Sequence, residues 1–236
     1  MINIVITAGG TSERIDNVRK ITNSSSGKLG SMIGDKISEL INEEYKIFYV
    51  CSKKSFKPSS NKNVEVIEIE DTNDLVNVTR ELLSKYKIDY FIHSMAVSDY
   101  TVEYVTNESK YKKYLESGDY NSLFIDRDSK ISSYEDNLFI KLKRTPKVIE
   151  MIKNVSPSTY LVGFKLLDNV SEEKLIDVAY NLKVKNKCDL VLANDLDSIR
   201  KGNHVGYLIK EKDNYLKVSS KEGIATKLVK VMLNYD

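Results

Sequence analysis

The two cysteines and two histidines in 236 residues lie far apart in sequence, so a structural zinc site is not expected. Cys51 and Cys188 sit in apolar, strand-like runs with neither a CxxC pair nor a Cys/His cluster, so buried free thiols and no disulfide framework are predicted. Only three prolines and ten glycines argue against long disorder. Net charge is scarce too: 36 Lys+Arg stand against 34 Asp+Glu, +2 in all, and both signs alternate through most of the chain. A non-specific nucleic-acid or anionic-membrane binder concentrates basic charge, so neither partner is expected and any anion must be held by a local site. The apolar opening Met1–Thr7 is too short for a signal-peptide core and lacks a basic leader. No later run approaches the ~18 apolar residues of a membrane span. The chain reads as cytoplasmic.

What is present is a core: 41% of residues are hydrophobic, and the length suits one large α/β domain better than two small ones. Ile2 to Ala8 is a continuous β-branched run ending in Gly9-Gly10-Thr11, the pattern of a strand buried on both faces. Ser26 to Glu43 has helical spacing through Leu29, Ile33, Ile37 and Leu40. Strands are predicted at 46–51, 64–69, 89–93, 138–142, 160–166 and 189–193. Helices are predicted at 74–86, from Pro146 as an N1 proline, at 172–185 and at 222–233. Asp71 or Thr72 is placed to cap the second helix. A hairpin pairs 205–209 with 215–218, and Tyr100 to Ser129 shows no sustained period and reads as an irregular excursion. The fold expected is α/β: a three-layer, Rossmann-like, mainly parallel sheet with helices on both faces and an antiparallel hairpin extension. It forms one domain over 1–236, with an irregular excursion and flap at about 100–136.

In such a sheet, ligands bind outside the carboxyl ends of the strands. Four polar clusters are predicted at such ends: Gly9-Gly10-Thr11 with its loop to Lys28, Met95 to Asp99, Gly163-Phe164-Lys165, and Ala193-Asn194-Asp195. Adjacent glycines let the backbone approach a ligand, and Ser26-Gly27-Lys28 opens a helix whose free N–H groups favour an anion. The same residues serve equally as cap and turn, and neither a Walker loop nor GxGxxG is present. Asn23 and Arg19 lie in that loop, able to bind a carbonyl or an anion, or to staple the loop. Lys130, Lys141, Lys143 and Arg144 form a second positive cluster. It suits either a polyphosphate or a solvated edge that discourages strand pairing. His93 reads as a satisfied core residue, and His204 lies in a glycine-containing turn.

The run Ile6-Thr7-Ala8-Gly9-Gly10-Thr11, continued by Ile15-Asp16-Asn17-Val18-Arg19-Lys20-Ile21-Thr22-Asn23-Ser24-Ser25-Ser26-Gly27-Lys28, resembles the opening signature of phosphopantothenate–cysteine ligases. Later pieces follow in the family's order: Ala96-Val97-Ser98-Asp99, the flap Lys130-Ile131-Ser132-Ser133, Lys141 to Pro146, Gly163-Phe164 and Asp189 to Asp195. The resemblance covers nearly the whole chain. It implies a ligase of coenzyme A biosynthesis that joins 4′-phosphopantothenate to L-cysteine through an acyl-nucleotide, with Mg2+ and a nucleoside triphosphate. CTP comes ahead of ATP, although Ser132 and Ser133 stand where many bacterial members carry lysines.

By the same resemblance, Gly9, Gly10, Thr11, Ser26, Gly27 and Lys28 hold phosphates, and Ala96, Asp99 and Phe164 surround the nucleotide. Asn23 bonds the acyl carbonyl, Lys130 neutralises the charge developing at the α-phosphate, and Arg19 positions substrate. It further implies a homodimer, and a form without a fused flavin-binding decarboxylase, that step falling to a separate protein. Two other readings stay open: a dinucleotide-dependent oxidoreductase, for which GxGxxG is missing, and a catalytically silent nucleotide-binding protein.

Overall fold

The computed structural model describes residues 1–42, 44–59 and 63–235. The chain opens with β1 (Ile2–Ala8), a small hairpin of β2 (Ser12–Arg14) and β3 (Lys20–Thr22), then α1 (Lys28–Leu40). It continues through β4 (Tyr45–Ser52), β5 (Val64–Ile69), α2 (Thr72–Lys85) and β6 (Tyr90–His93). An arm follows: β7 (Tyr100–Asn107), α3 (Glu108–Ser117), a 3-10 turn (Tyr120–Leu123) and β8 (Leu138–Arg144). The remainder is α4 (Val148–Val155), β9 (Tyr160–Leu167), α5 (Glu172–Asn186), β10 (Leu190–Asp195), α6 (Leu196–Arg200), the hairpin β11 (Val205–Glu211) and β12 (Asn214–Ser219), and α7 (Lys221–Leu233).

Eight strands form the main sheet in the order β12-β11-β10-β9-β6-β1-β4-β5. The six strands β5, β4, β1, β6, β9 and β10 are parallel, and β11 and β12 extend the sheet antiparallel. Alternate residues of each strand supply the two faces. Val5, Phe48, Phe91, Leu161 and Val191 meet Leu75, Ile152 and Leu175 of α2, α4 and α5. Ile4, Ile6, Tyr49, Val162 and Leu192 meet Ile33, Ile37 and Leu228 of α1 and α7. Burial on both sides is why these strands read as unbroken apolar runs. The result is the expected three-layer, Rossmann-like arrangement. Cys51 and Cys188 are buried free thiols. Among the described residues, no helix is long and apolar enough to cross a membrane.

The structure corrects four local expectations. Tyr100 to Leu123 is largely regular, and only 124–129 keeps the expected irregularity: β7 pairs antiparallel with β8, across a bulge between Val102 and Tyr104, and α3 is capped by the Asn107 side chain and closed by Gly118 at φ 70°. The 138–142 strand therefore belongs to this arm and not to the main sheet. Pro146 precedes the cap instead of occupying N1, because Lys147 is the N-cap and α4 starts at Val148. Gly163-Phe164-Lys165 lies within β9, which runs on to Leu167. Since Thr7, His93 and Gly163 share one register, Phe164 still comes level with Ala8 and the end of β6. The first helix spans Lys28–Leu40, and its expected end at Glu43 lies outside the described residues. Of the two caps the sequence offers for α2, Asp71 is the one used, and it forms a full capping box with Asp74.

Candidate active site

The carboxyl ends of β1 and β6 are joined by a continuation of the sheet. Gly10 and Ala96 form a parallel bridge, with Ala96 N donating to Gly9 O at 2.8 Å and Thr11 N to Ala96 O at 3.1 Å. Thr11 is fully buried; its Oγ1 accepts from Ser98 N at 2.9 Å and donates to Ser98 Oγ at 3.1 Å. Thr11 thus locks the two loops together and has no surface to offer a phosphate. Behind it, buried Glu13 accepts from Thr72 N and Thr72 Oγ1, fixing α2 to the β2–β3 hairpin.

Asn23 follows β3 and lies against this junction. Its N–H donates to Thr11 O at 3.1 Å, and its Nδ2 donates to Ser98 Oγ at 3.1 Å and Ala96 O at 3.3 Å. The carboxamide thus connects the two candidate loops. From Asn23 the chain passes Ser24, Ser25 and Ser26 to α1. Gly27 caps α1 in the left-handed region, φ 72°, without a side-chain cap, and no acid stands in the first turn. Lys28 N meets only the Ser26 hydroxyl, at 3.4 Å, and the Lys28 ammonium stands 4.9 Å from the centre of the Phe56 ring. A positive side chain at the positive end of a helix dipole, with the first N–H groups uncapped, is an arrangement that an anion relieves.

Two serines that sequence reasoning missed complete the loop floor. Ser52 and Ser55 hydroxyls bond each other at 2.7 Å, and a Cβ on Gly9, itself at φ 84°, would fall 1.8 Å from Ser55 Oγ. The positive φ calls for glycine here whether or not a ligand is present, and the serines leave no room for a side chain unless they turn away. No periodicity marks Ser55; only its place just beyond the end of β4 hinted at it. A cleft of ≈ 580 Å³ opens here, lined by Gly10, Asn23, Ser25, Ser52, Lys53 and Lys54 among others. A second cavity of ≈ 520 Å³ lies at the end of β10, around Asp195, His204 and Tyr207; it reaches the fourth polar cluster, Ala193-Asn194-Asp195, and none of the residues assigned to phosphate or nucleotide.

The remaining candidates are placed around the junction. Asp99 is exposed, and its Oδ1 accepts from Lys147 Nζ at the start of α4. Thr145 ties the same loop by bonding Asp99 O and Ser98 O. Phe164 is half-buried against the α1/α7 side of the sheet. Arg19 lies at the far end of β3 from Asn23, its Nε and Nη2 both donated to Asp16. Lys130 is exposed and, among the described residues, forms no hydrogen bond or ion pair, while its neighbour Ile131 is buried and bound to Asp16 and Arg19. Lys141 pairs with Glu103 at 2.9 Å and sits over the Tyr104 ring, on the arm. His93 is a core residue bonded to Thr7 Oγ1 at 2.9 Å, and burial lowers its pKa to about 4.

Among the described residues, no group of three or more His, Cys, Asp or Glu could hold a metal ion. Mg2+ commonly needs only one or two carboxylates besides phosphates and water. The free Oδ2 of Asp99 fits an ion that arrives on a nucleotide.

A family described as "DNA/pantothenate metabolism flavoprotein C-terminal domain" matches the chain over residues 1–123 and 117–235. The chain belongs to this family. Within the family's company, the coenzyme A biosynthesis bifunctional protein CoaBC of Thermococcus kodakarensis is 34% identical over 193 residues, 82% of this chain and 41% of that protein. The chain spans between about two fifths and half of the length of the curated relatives it matches. The crystal structure of the DNA/pantothenate metabolism flavoprotein from Streptococcus pneumoniae is similar over 100% of both chains, with TM-score 0.85 and 36% identity. The crystal structure of the C-terminal domain of a CoaBC protein shares the fold, with TM-score 0.69 and 19% identity over 99% of this chain and 95% of that one.

Proposed function

We propose that this member of the family is a phosphopantothenate–cysteine ligase, with residues 1–236 acting as one ligase domain in the cytoplasm. The observation that carries the reading is Asn23. Its carboxamide is held by Ala96 and Ser98 at the junction of two strand ends, beside an uncapped helix N-terminus, within a chain that belongs to the family. That arrangement supplies an amide and anion-binding backbone within one loop system.

The carboxylate oxygen of 4′-phosphopantothenate attacks the α-phosphorus of the nucleotide, the bond to the β-phosphate oxygen breaks, and pyrophosphate leaves with the electron pair. The cysteine amine then attacks the acyl carbon, the single bond from that carbon to the phosphate oxygen breaks, nucleoside monophosphate leaves with the electron pair and the amine loses its proton. Gly9, Gly10 and the Ser26-Gly27-Lys28 helix start hold phosphates through backbone N–H groups. Asn23 bonds the acyl carbonyl by exchanging its longer Nδ2 contact, the 3.3 Å one to Ala96 O, for the substrate oxygen, and Lys130 stabilises charge developing at the α-phosphate. Ala96, Asp99 and Phe164 border the nucleotide, and Arg19 positions substrate through its free Nη1. Mg2+ screens the triphosphate charge when bound with it. CTP is the first-choice nucleotide and ATP the second, and the working form is a homodimer.

The test is pyrophosphate release by purified protein with 4′-phosphopantothenate, Mg2+ and either CTP or ATP, with and without cysteine. Release with one nucleotide, followed by cysteine-dependent formation of monophosphate, is expected. No release with either nucleotide would remove the reading.

A further inference from the structure

The flap carrying Lys130 is attached to the rest of the molecule at one residue in an unusual way. Both backbone groups of Ile131 are gripped by side chains of the β2–β3 turn, more than a hundred positions earlier. Ile131 N donates to Asp16 Oδ2 at 3.1 Å, and Ile131 O accepts from Arg19 Nη2 at 2.8 Å. The two side chains are themselves joined, Arg19 Nε and Nη2 reaching Asp16 Oδ2 at 2.9 and 2.6 Å. Asp16 Oδ1 faces the other way and closes its own turn, accepting from Val18 N at 2.8 Å and Arg19 N at 2.7 Å. The carboxylate is therefore fully engaged by donors, and its side chain has no exposed surface.

Neighbouring contacts reinforce the attachment. Arg127 Nε donates to Ile15 O at 2.7 Å, Arg127 Nη2 to Arg14 O, and Asn17 Nδ2 to Asp128 O. The Ile131 side chain is buried with Val102 and Val105 of β7, against Ile15, Ile125 and Leu138. By contrast Lys130, Ser132 and Ser133 on either side are exposed. One anchored, buried residue thus sits between exposed neighbours in the middle of the segment that bears the proposed catalytic lysine.

We propose that Asp16 is a positioning residue of the site, its carboxylate clamping Ile131 and Arg19 together so that Lys130 is presented from a rigid base. The proposal rests on the ligase reading for what Lys130 does, and on geometry alone for the clamp. An asparagine cannot replace this aspartate: a carboxylate only accepts, whereas either orientation of a carboxamide turns an NH2 group toward donors. One orientation opposes the Val18 and Arg19 amides, and the other opposes Ile131 N and the guanidinium.

The clamp is tested by amide hydrogen exchange on the full chain. In the wild type, the Ile131 amide should exchange far more slowly than those of Ser132 and Ser133. Asp16→Asn should accelerate Ile131 by roughly tenfold or more, leaving amides of β1 and β4 unchanged. Equal exchange at Ile131 in both proteins overturns the clamp, and wild-type data alone overturn it if Ile131 exchanges as fast as its neighbours.

Positioning is tested by single-turnover pyrophosphate release in a double-mutant cycle. Asp16→Asn should slow release roughly tenfold to a hundredfold in the wild-type background, and by less than about twofold in Lys130→Gln. Equal losses in both backgrounds would mean that Asp16 acts through Arg19 or the fold and not through Lys130, and the positioning of Lys130 by Asp16 falls. A wild-type chain that releases no pyrophosphate removes the ligase reading instead, and the exchange result still decides the clamp.

Discussion

Gly10 lies so close to Asn23 that a Cβ on the glycine would stand 2.1 Å from the asparagine carbonyl oxygen. The opposing atom is backbone, so the contact cannot be relieved by a side-chain rotation, and the loop carrying Asn23 must move. Gly10→Ala should therefore destabilise the protein by about 1–3 kcal/mol and disturb the site at the same time. Thermal unfolding measures the first effect, and pyrophosphate release at a temperature where the variant is folded measures the second. Wild-type values in both would mean that Asn23 is not held where this contact puts it.

Asn23→Asp replaces the donor that reaches Ser98 Oγ and Ala96 O with a second acceptor. The carboxylate would face the Ala96 carbonyl, and it would also repel the anionic acyl-nucleotide. Overall turnover should fall by two orders of magnitude or more, on the scale known for removal of one donor from a preorganised site. Rapid quenching should locate the loss in formation or use of the acyl-nucleotide. Unchanged turnover removes Asn23 from its role.

His93 gives the fold an acid-sensitive term. Burial lowers its pKa from 6.5 to about 4, so the native state keeps the ring neutral while the unfolded chain protonates it. Stability from this source is intact above pH 6.5, declines as pH falls toward 4, and levels off below, by about 3 kcal/mol in total. His93→Gln should flatten that part of the profile in chemical denaturation at several pH values. An unchanged slope between pH 6.5 and 4 would assign the acid sensitivity to other groups.

The main sheet was legible because strands such as β1 and β4, buried on both faces, are written as apolar runs of β-branched and aromatic residues. The same logic located the loops at their ends, and with them Gly10, Asn23 and Ala96. The arm was not legible by period. The bulge between Val102 and Tyr104 breaks the alternation of β7, and no residue of α3 is buried, so α3 has no apolar stripe. Its punctuation was readable all the same, with Asn107 ahead of the helix and Gly118 behind it. Strands β2 and β3 have three residues each and are exposed except at Ser12 and Glu13, which leaves no pattern to detect. The attachment of Ile131 to Asp16 joins residues 115 positions apart through side chains, and nothing local in either segment announces it.

The Asp99–Lys147 pair gives two variants of opposite sign. Both side chains are largely exposed, 66% for Asp99 and 51% for Lys147, so breaking the pair to admit a ligand costs little, about 0–1 kcal/mol. If Asp99 borders the nucleotide, Lys147 competes for its carboxylate in the free protein. Lys147→Met should then lower the nucleotide KM, by no more than about fivefold, because about 1 kcal/mol is the ceiling for such a pair. Asp99→Asn removes the contact itself and should raise the same KM. Raising the salt concentration should shrink the Lys147→Met effect, since the competing pair is exposed and screened. Steady-state kinetics with CTP and with ATP measure all three. A Lys147→Met variant with a raised KM would instead put the ammonium on the nucleotide phosphates, and would end the view of Lys147 as a competitor for Asp99.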